Sequence, residues 1–238
     1  MAVSHSNAAL IIVDLQEDFL PPNGSLAVTD GRSIIPKIAK LLELKWDLVV
    51  TTQDWHPKTH TSFASNHKDV KPFQELTFKH PLNEIDPKTG EIKIMKQVVW
   101  PDHCIQNSFG SEIAKEFKIP LHKLEENGNC KTVNVKKGYI EDREYYSCFQ
   151  DSWGLHKTEL NDYLKENKIT DVFLVGIAYD FCVLHSAKDA SALGYNTFVI
   201  SDCSKSVYPN DITKTDEIYT SSNVKIIDSS SKELANLK

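Results

Sequence analysis

The chain has 238 residues, 40% of them hydrophobic and 25% charged, with a net charge of -6. That balance fits one water-soluble domain of the α/β kind and supplies no basic footprint for nucleic acid; no apolar run is long enough to span a membrane. Five cysteines at scattered positions make no disulfide framework, and the polar stretch Met1–Asn7 lacks the form of a signal peptide, so a reducing, cytoplasmic setting is expected, with nucleus and peroxisome not distinguished.

Ala8–Val13 ("AALIIV") is a continuous apolar run, as expected of a strand covered on both faces, and it stops at Asp14. A Pro- and Gly-containing loop follows, then Ile34, Ile35, Ile38, Leu41 and Leu42 at helical spacing, then a second strand over 48–52. Residues 54–105 are rich in His, Pro, Lys and Asp and show little periodicity, which predicts an ordered loop excursion with an exposed, hairpin-like tip at 86–93. Next come a short helix over 111–117, a strand over 131–135, a helix over 158–166 capped by Thr158, and a strand over 171–175. A helix over 181–193 ends at Gly194, followed by a strand over 196–201, a helix over 212–221 and a strand over 224–227. Apolar strands alternating with amphipathic helices predict an α/β chain: a three-layer α/β/α domain, residues 1–238, around a central, mainly parallel six-stranded sheet, with residues 54–105 as an inserted loop region.

In such sheets the site lies outside the carboxyl ends of the strands. Asp14, Asp54 with His56, Lys137 and Cys182 all fall just past predicted strand ends, so they are expected to gather on one edge. A cysteine at a helix N-terminus is a candidate nucleophile: the helix dipole and a nearby lysine lower a thiol's pKa, an aspartate can take its proton, and free N–H groups at the helix end can bind an oxyanion. Lys136 and Lys137 are not separable by composition. Asp54 and His56, two apart on an extended segment, point the same way and suit a divalent metal with mixed O and N ligands; His60, His67 and His103 are candidates for a third ligand. Three protein ligands would leave open positions, the mark of a catalytic metal.

The segments "IIVDLQEDF", "TTQDWHPKTHTSFASNHKD", "WPDHCIQNSFGSE", "KKGYIEDREYYSCF" and "LVGIAYDFCVLHSAKDASALGY" together resemble the nicotinamidases, the fungal type in particular, of the isochorismatase-like cysteine hydrolase superfamily. The resemblance runs from Ala8 to about Ile227. It implies catalytic roles for Asp14, Lys137 and the nucleophile Cys182, metal ligation by Asp54, His56 and His103, and a substrate ring held between Phe19 and Trp100. It also implies a cis peptide at Ile177-Ala178 that aims the Ala178 and Cys182 N–H groups into an oxyanion hole. The activity implied is hydrolysis of nicotinamide to nicotinate and ammonia through a cysteine thioester, in NAD salvage, with pyrazinamide as a side substrate. One divalent metal per chain is implied, zinc first, with iron or manganese as alternatives, and a homo-oligomer is open. The rival readings are another hydrolase of the superfamily, or a binding protein that keeps the fold without catalysis; an intact Asp14, Lys137 and Cys182 weighs against the second, and the metal-ligand set against isochorismate as substrate. His185 reads as structural, His60 is left out of the implied ligand set with a place just outside it open, and no role is inferred for the 86–93 loop.

Overall fold

The computed structural model describes residues 7–128, 130–235 and 237. In chain order the elements are β1 (Ala8–Val13), α1 (Ile35–Leu41), β2 (Leu48–Asp54), β3 (Glu75–Lys79), β4 (Ile94–Val98), α2 (Lys115–Asn127), β5 (Lys131–Lys137), α3 (Leu160–Glu166), β6 (Asp171–Ile177), α4 (Cys182–Ala192), β7 (Asn196–Lys205), α5 (Ile212–Ser221), β8 (Lys225–Ile227) and α6 (Lys232–Ala235). Six strands form one sheet in the order β5-β2-β1-β6-β7-β8, and every neighbouring pair is parallel.

The apolar runs explain the order. All six residues of β1 and all seven of β6 are buried, so these two strands occupy the middle, where both faces are covered. Their side chains alternate between two cores. Leu10 and Ile12 pack with Ile38 and Leu41 of α1 and Phe117 of α2, while Ile11 and Val13 pack with Leu164 of α3, Ala187 of α4 and Tyr219 of α5. Each fully buried Ile, Leu or Val contributes about 1.5–3 kcal/mol relative to an exposed one, so a two-faced strand of this composition is stable only inside three layers.

The chain builds outward from β1 through β2 to β5, then crosses to β6 and builds outward the other way. Strand order therefore reverses between β1 and β6, which opens a crevice at their carboxyl ends. Gly176 lets the two strands close up there. Its φ is +116°, and a Cβ would sit 2.1 Å from the Val13 carbonyl oxygen.

The expected elements differ from the observed ones in several places; β6 and β7 also run on, to Ile177 and Lys205. Strands β2 and β5 run two residues beyond the predicted ends, to Asp54 and Lys137. Their last residues are polar because they face the site, so an apolar criterion stops too early. The predicted 111–117 helix is a 3-10 turn over Phe109–Ser111 followed by the longer α2. That helix buries only Phe117 and carries Pro120, so its periodic apolar signal is weak. Within 54–105, β3 and β4 pair antiparallel as a separate arm with a largely exposed face, and the predicted 86–93 tip lies at its end. Thr158 accepts a hydrogen bond from the Leu160 N–H at 3.3 Å, so it supports the start of α3 from just outside it. No helix among the described residues is long and apolar enough to cross a membrane.

Candidate active site

Four strand ends place the reactive groups. Asp14 leaves β1 with φ +47°, a left-handed turn that aspartate tolerates better than most residues. The Thr52 hydroxyl donates to Asp14 Oδ1 at 2.6 Å, and the Asp14 N–H donates back to Thr52 Oγ1 at 3.1 Å. Asp54 closes β2, Lys137 closes β5, and Cys182 opens α4 after β6.

Lys137 is the centre of the cluster. It has no solvent exposure, and its Nζ lies 2.9 Å from Asp14 Oδ2 and 2.5 Å from Asp54 Oδ1. It also donates to the Tyr145 carbonyl at 2.9 Å and lies 3.6 Å from Cys182 Sγ. Lys136 is exposed, its Nζ 3.4 Å from the centre of the Trp55 ring, so of the two lysines only Lys137 enters the site. Burial alone would strip Lys137 of its proton, but the two carboxylates outweigh it and hold its pKa well above the ordinary value. Asp54 is held ionised: burial opposes this, and Lys137 and His56 overcome it. Asp14 goes the other way, its pKa raised chiefly by burial and further by Asp54, against the pull of Lys137. Its Oδ2 receives no aligned hydrogen bond, which leaves that oxygen able to take a proton.

Cys182 is buried, and its sulfur can come within 4.8 Å of both carboxylates. The thiol pKa is raised, first by burial and then by Asp14 and Asp54, with Lys137 opposing. The expectation of a lowered pKa is therefore corrected for the free protein: burial of the sulfur, with two carboxylates beside it, outweighs the pull of Lys137, and the resting sulfur keeps its proton. The Ile177-Ala178 peptide is cis. Among the described residues neither the Ala178 nor the Cys182 N–H has a backbone acceptor, while the Ala178 carbonyl accepts from Phe181 and Val183 at 3.0 Å each.

One ligand atom from each of Asp54, His56 and His103 lies within 4.8 Å of the others, all three residues being buried. Asp54 Oδ2 is 3.5 Å from His56 Nε2 and 3.9 Å from His103 Nε2. His56 Nδ1 donates to the Gly138 carbonyl and His103 Nδ1 to the Pro101 carbonyl, both at 2.7 Å. A carbonyl can only accept, so each ring carries a proton on Nδ1 and, when neutral, turns the lone pair of its Nε2 toward Asp54; burial opposes a second proton on His56, and the Asp54 carboxylate overcomes it and raises the His56 pKa. His56 Nε2 has no partner although it is fully buried. One carboxylate and two imidazoles with an orphaned nitrogen fit a divalent cation. His60 and His67 do not join the group. His60 donates through Nε2 to the Arg143 carbonyl at 3.0 Å and its Nδ1 meets the Ser62 hydroxyl at 2.7 Å, while its ring packs on His56 with centroids 4.1 Å apart. The His67 Nε2 donates to the Thr61 carbonyl at 2.7 Å.

A cavity of about 400 Å³, counted to its open mouth, joins the two groups; Cys182, Ala178, Asp54 and His103 all line it. Phe19 and Trp100 both contribute walls. Sequence reasoning missed Tyr146, Phe181, Val207 and Glu144, which line the same space. Tyr146 accepts from Trp100 Nε1 at 3.2 Å, and the Trp100 and Phe181 rings meet edge-on at 4.9 Å. Glu144 is a buried carboxyl whose pKa is raised chiefly by burial. Tyr146 and Phe181 stand in quoted segments, at "EYY" and "DFC", and a search for aromatics flanking the candidate catalytic residues would have found them.

Fold and residue set together define an α/β chain with a cysteine, aspartate and lysine at one sheet edge. The isochorismatase domain family model matches residues 8–229, and the chain belongs to that family. It is 36% identical over 224 residues to the nicotinamidase of Saccharomyces cerevisiae, covering 92% of this chain and 98% of that one. The crystal structure of the yeast nicotinamidase bound to the inhibitor nicotinaldehyde superposes with a TM-score of 0.81 at 35% identity, over 93% of this chain and 99% of that one. The pyrazinamidase of Pyrococcus horikoshii in complex with zinc gives a TM-score of 0.66 at 28% identity, over 93% and 99% respectively.

Proposed function

We propose that the protein is a metal-dependent nicotinamidase that converts nicotinamide to nicotinate and ammonia through a thioester on Cys182, in NAD salvage. The observation that carries this reading is the shared cavity: Cys182, with Asp14 and Lys137 behind its sulfur, and Asp54 and His103, with His56 beside them, line one apolar, aromatic slot. The likeness to yeast nicotinamidase supports the substrate. A divalent cation held by Asp54, His56 and His103 would supply a Lewis acid for the ring nitrogen; zinc fits the donor set, with iron and manganese as alternatives.

The residues of the chain do the rest. Phe19 and Trp100 hold the ring and exclude water. The Cys182 sulfur attacks the carboxamide carbon while its proton passes to Asp14. The raised thiol pKa fits this order, because the proton leaves only when the nucleophile is used. The N–H groups of Ala178 and Cys182 receive the oxyanion, each worth about 3 kcal/mol in comparable sites. Asp14 then protonates the departing nitrogen, the C–N bond breaks, ammonia leaves and the thioester remains. A water molecule, giving its proton to Asp14, attacks the thioester; the C–S bond breaks, nicotinate forms and the sulfur regains its proton. Lys137 stays charged throughout and holds Asp14 against the sulfur. Pyrazinamide, a ring of the same shape, is accepted as a side substrate.

The test is release of ammonia from nicotinamide with and without a chelator. Release that the chelator abolishes and added metal restores supports the reading. Release indifferent to chelator would remove the metal from it, and no release from nicotinamide would overturn it.

A further inference from the structure

The segment that follows β1 reads Asp14-Leu15-Gln16-Glu17-Asp18-Phe19, and its roles alternate. Asp14 and Phe19 belong to the site already described. Gln16 and Asp18 do not touch the cavity, yet each grips the backbone of a segment that carries candidate metal ligands.

Gln16 acts at Asp54. Strand β1 ends at Val13, whereas β2 continues to Asp54, so the last residues of β2 lose their backbone partner on the β1 side. The side-chain amide of Gln16 takes that place. Its Oε1 accepts the Asp54 N–H at 2.9 Å and its Nε2 donates to the Asp54 carbonyl at 2.8 Å. The same Nε2 donates to the Ser111 carbonyl at 3.0 Å, and Gln16 is fully buried. Asp18 acts at the other ligand segment. Its Oδ2 accepts the Cys104 N–H at 2.7 Å, directly after His103, and the Cys104 carbonyl in turn accepts the His56 N–H at 3.0 Å. One residue, Cys104, thus links Asp18 to both histidines. Gly110 makes room for this contact: a Cβ there would lie 2.0 Å from Asp18 Oδ2. Phe19, the next residue, packs its ring 5.5 Å from the His103 ring.

We propose that Gln16 and Asp18 are positioning residues that set the spacing of Asp54, His56 and His103 for a divalent cation and lock it to the position of the Phe19 wall. Neither side chain is a ligand. Gln16 replaces a missing backbone partner and Asp18 anchors the Cys104 N–H, and outer groups that orient ligands commonly change metal affinity about 10–100-fold. The inference rests on the metal reading above.

The experiment uses cobalt(II) as the probe, bound to the metal-stripped full chain and read by its visible spectrum and by competition with a chelator. The unsubstituted protein is expected to bind one equivalent; no binding would overturn the metal reading and this inference with it. Asp18→Ala and Gln16→Ala are expected to weaken cobalt by at least about tenfold and to shift the spectrum. Asp18→Asn, which keeps an acceptor oxygen for Cys104, is expected to stay within about threefold of the unsubstituted protein, well short of that loss. Gly110→Ala removes no polar group and needs no left-handed backbone, so it keeps the test open if Asp18→Ala fails to fold; it is expected to reproduce the Asp18→Ala spectrum. Unchanged cobalt affinity and spectrum in folded Gly110→Ala or Asp18→Ala would overturn the inference, as would Asp18→Asn losing as much affinity as Asp18→Ala.

Discussion

Replacing Lys137 by methionine keeps most of the side chain's volume and removes only its charge. In the native chain that charge sits 2.9 Å from Asp14 and 2.5 Å from Asp54, with no water in reach. Without it two carboxyl groups within 4.8 Å of each other and of Cys182 are left buried and uncompensated. Removing one partner of a buried ion pair typically destabilises by about 3–5 kcal/mol. For a chain of this size each kcal/mol lowers the midpoint by about 2–4 °C, so a fall of roughly 6–20 °C is expected. The two carboxyls can no longer both ionise, so Asp14, whose pKa burial already raises, keeps its proton at neutral pH and stops acting as a base. Turnover should fall by about 10²-fold or more, the usual worth of a positioned base, with partial recovery as pH rises. Thermal unfolding and ammonia release, both followed from pH 6 to 9, read the two effects. Adding Asp14→Asn to Lys137→Met should restore part of the lost stability, most visibly at the higher pH where Asp14 would otherwise ionise beside Asp54, but none of the activity. A Lys137→Met protein with an unchanged midpoint, or a double variant less stable than the single one, would refute the electrostatic reasoning.

Other expectations follow from the same geometry. Gly138 has φ +70°, and a Cβ there would stand 2.3 Å from His56 Cε1, so Gly138→Ala should destabilise by more than about 1 kcal/mol and weaken metal binding, read by chemical unfolding and metal titration. The His185 pKa is lowered to about 4, by burial first and then by Lys188 and Lys137. The unfolded chain therefore takes up this proton first as pH falls through the ordinary value near 6.5, and the contribution of His185 to stability declines between about pH 6.5 and 4. His185→Gln should flatten the stability curve across that window; a steeper curve would contradict the sign. Trp100→Ala opens the cavity wall and removes the partner of Tyr146, so KM for nicotinamide should rise more than kcat falls.

Much of this architecture is legible in the residues themselves. The runs "AALIIV" and "VFLVG" are apolar at every position, and only a two-faced parallel strand explains that. Once the strands are placed, the carboxyl-end rule brings Asp14, Asp54, Lys137 and Cys182 together without knowledge of any contact. The rest depends on forces that a linear pattern does not carry. Strands β3 and β4 alternate weakly because one face of the arm stays exposed, so their pairing is invisible to periodicity. The direction of the Cys182 shift depends on how many charges surround the sulfur and at what distance. The helix-end position alone suggests a lowered pKa, and burial, aided by two carboxylates, reverses it against the pull of Lys137. Gln16 looks like a polar loop residue until the early end of β1 exposes the backbone of Asp54 that its side chain satisfies. Tyr146 and Phe181 enter the cavity through tertiary packing rather than through any spacing.

The account turns on Cys182 as the atom that carries the acyl group. Acid-quenching the protein during nicotinamide turnover and mapping the peptides by mass spectrometry tests it most directly. The account expects a nicotinoyl thioester on the Cys182 peptide, none on the peptides bearing Cys104, Cys130, Cys148 or Cys203, and neither adduct nor turnover in Cys182→Ala. Turnover by Cys182→Ala, or an adduct on another cysteine during turnover, would contradict it.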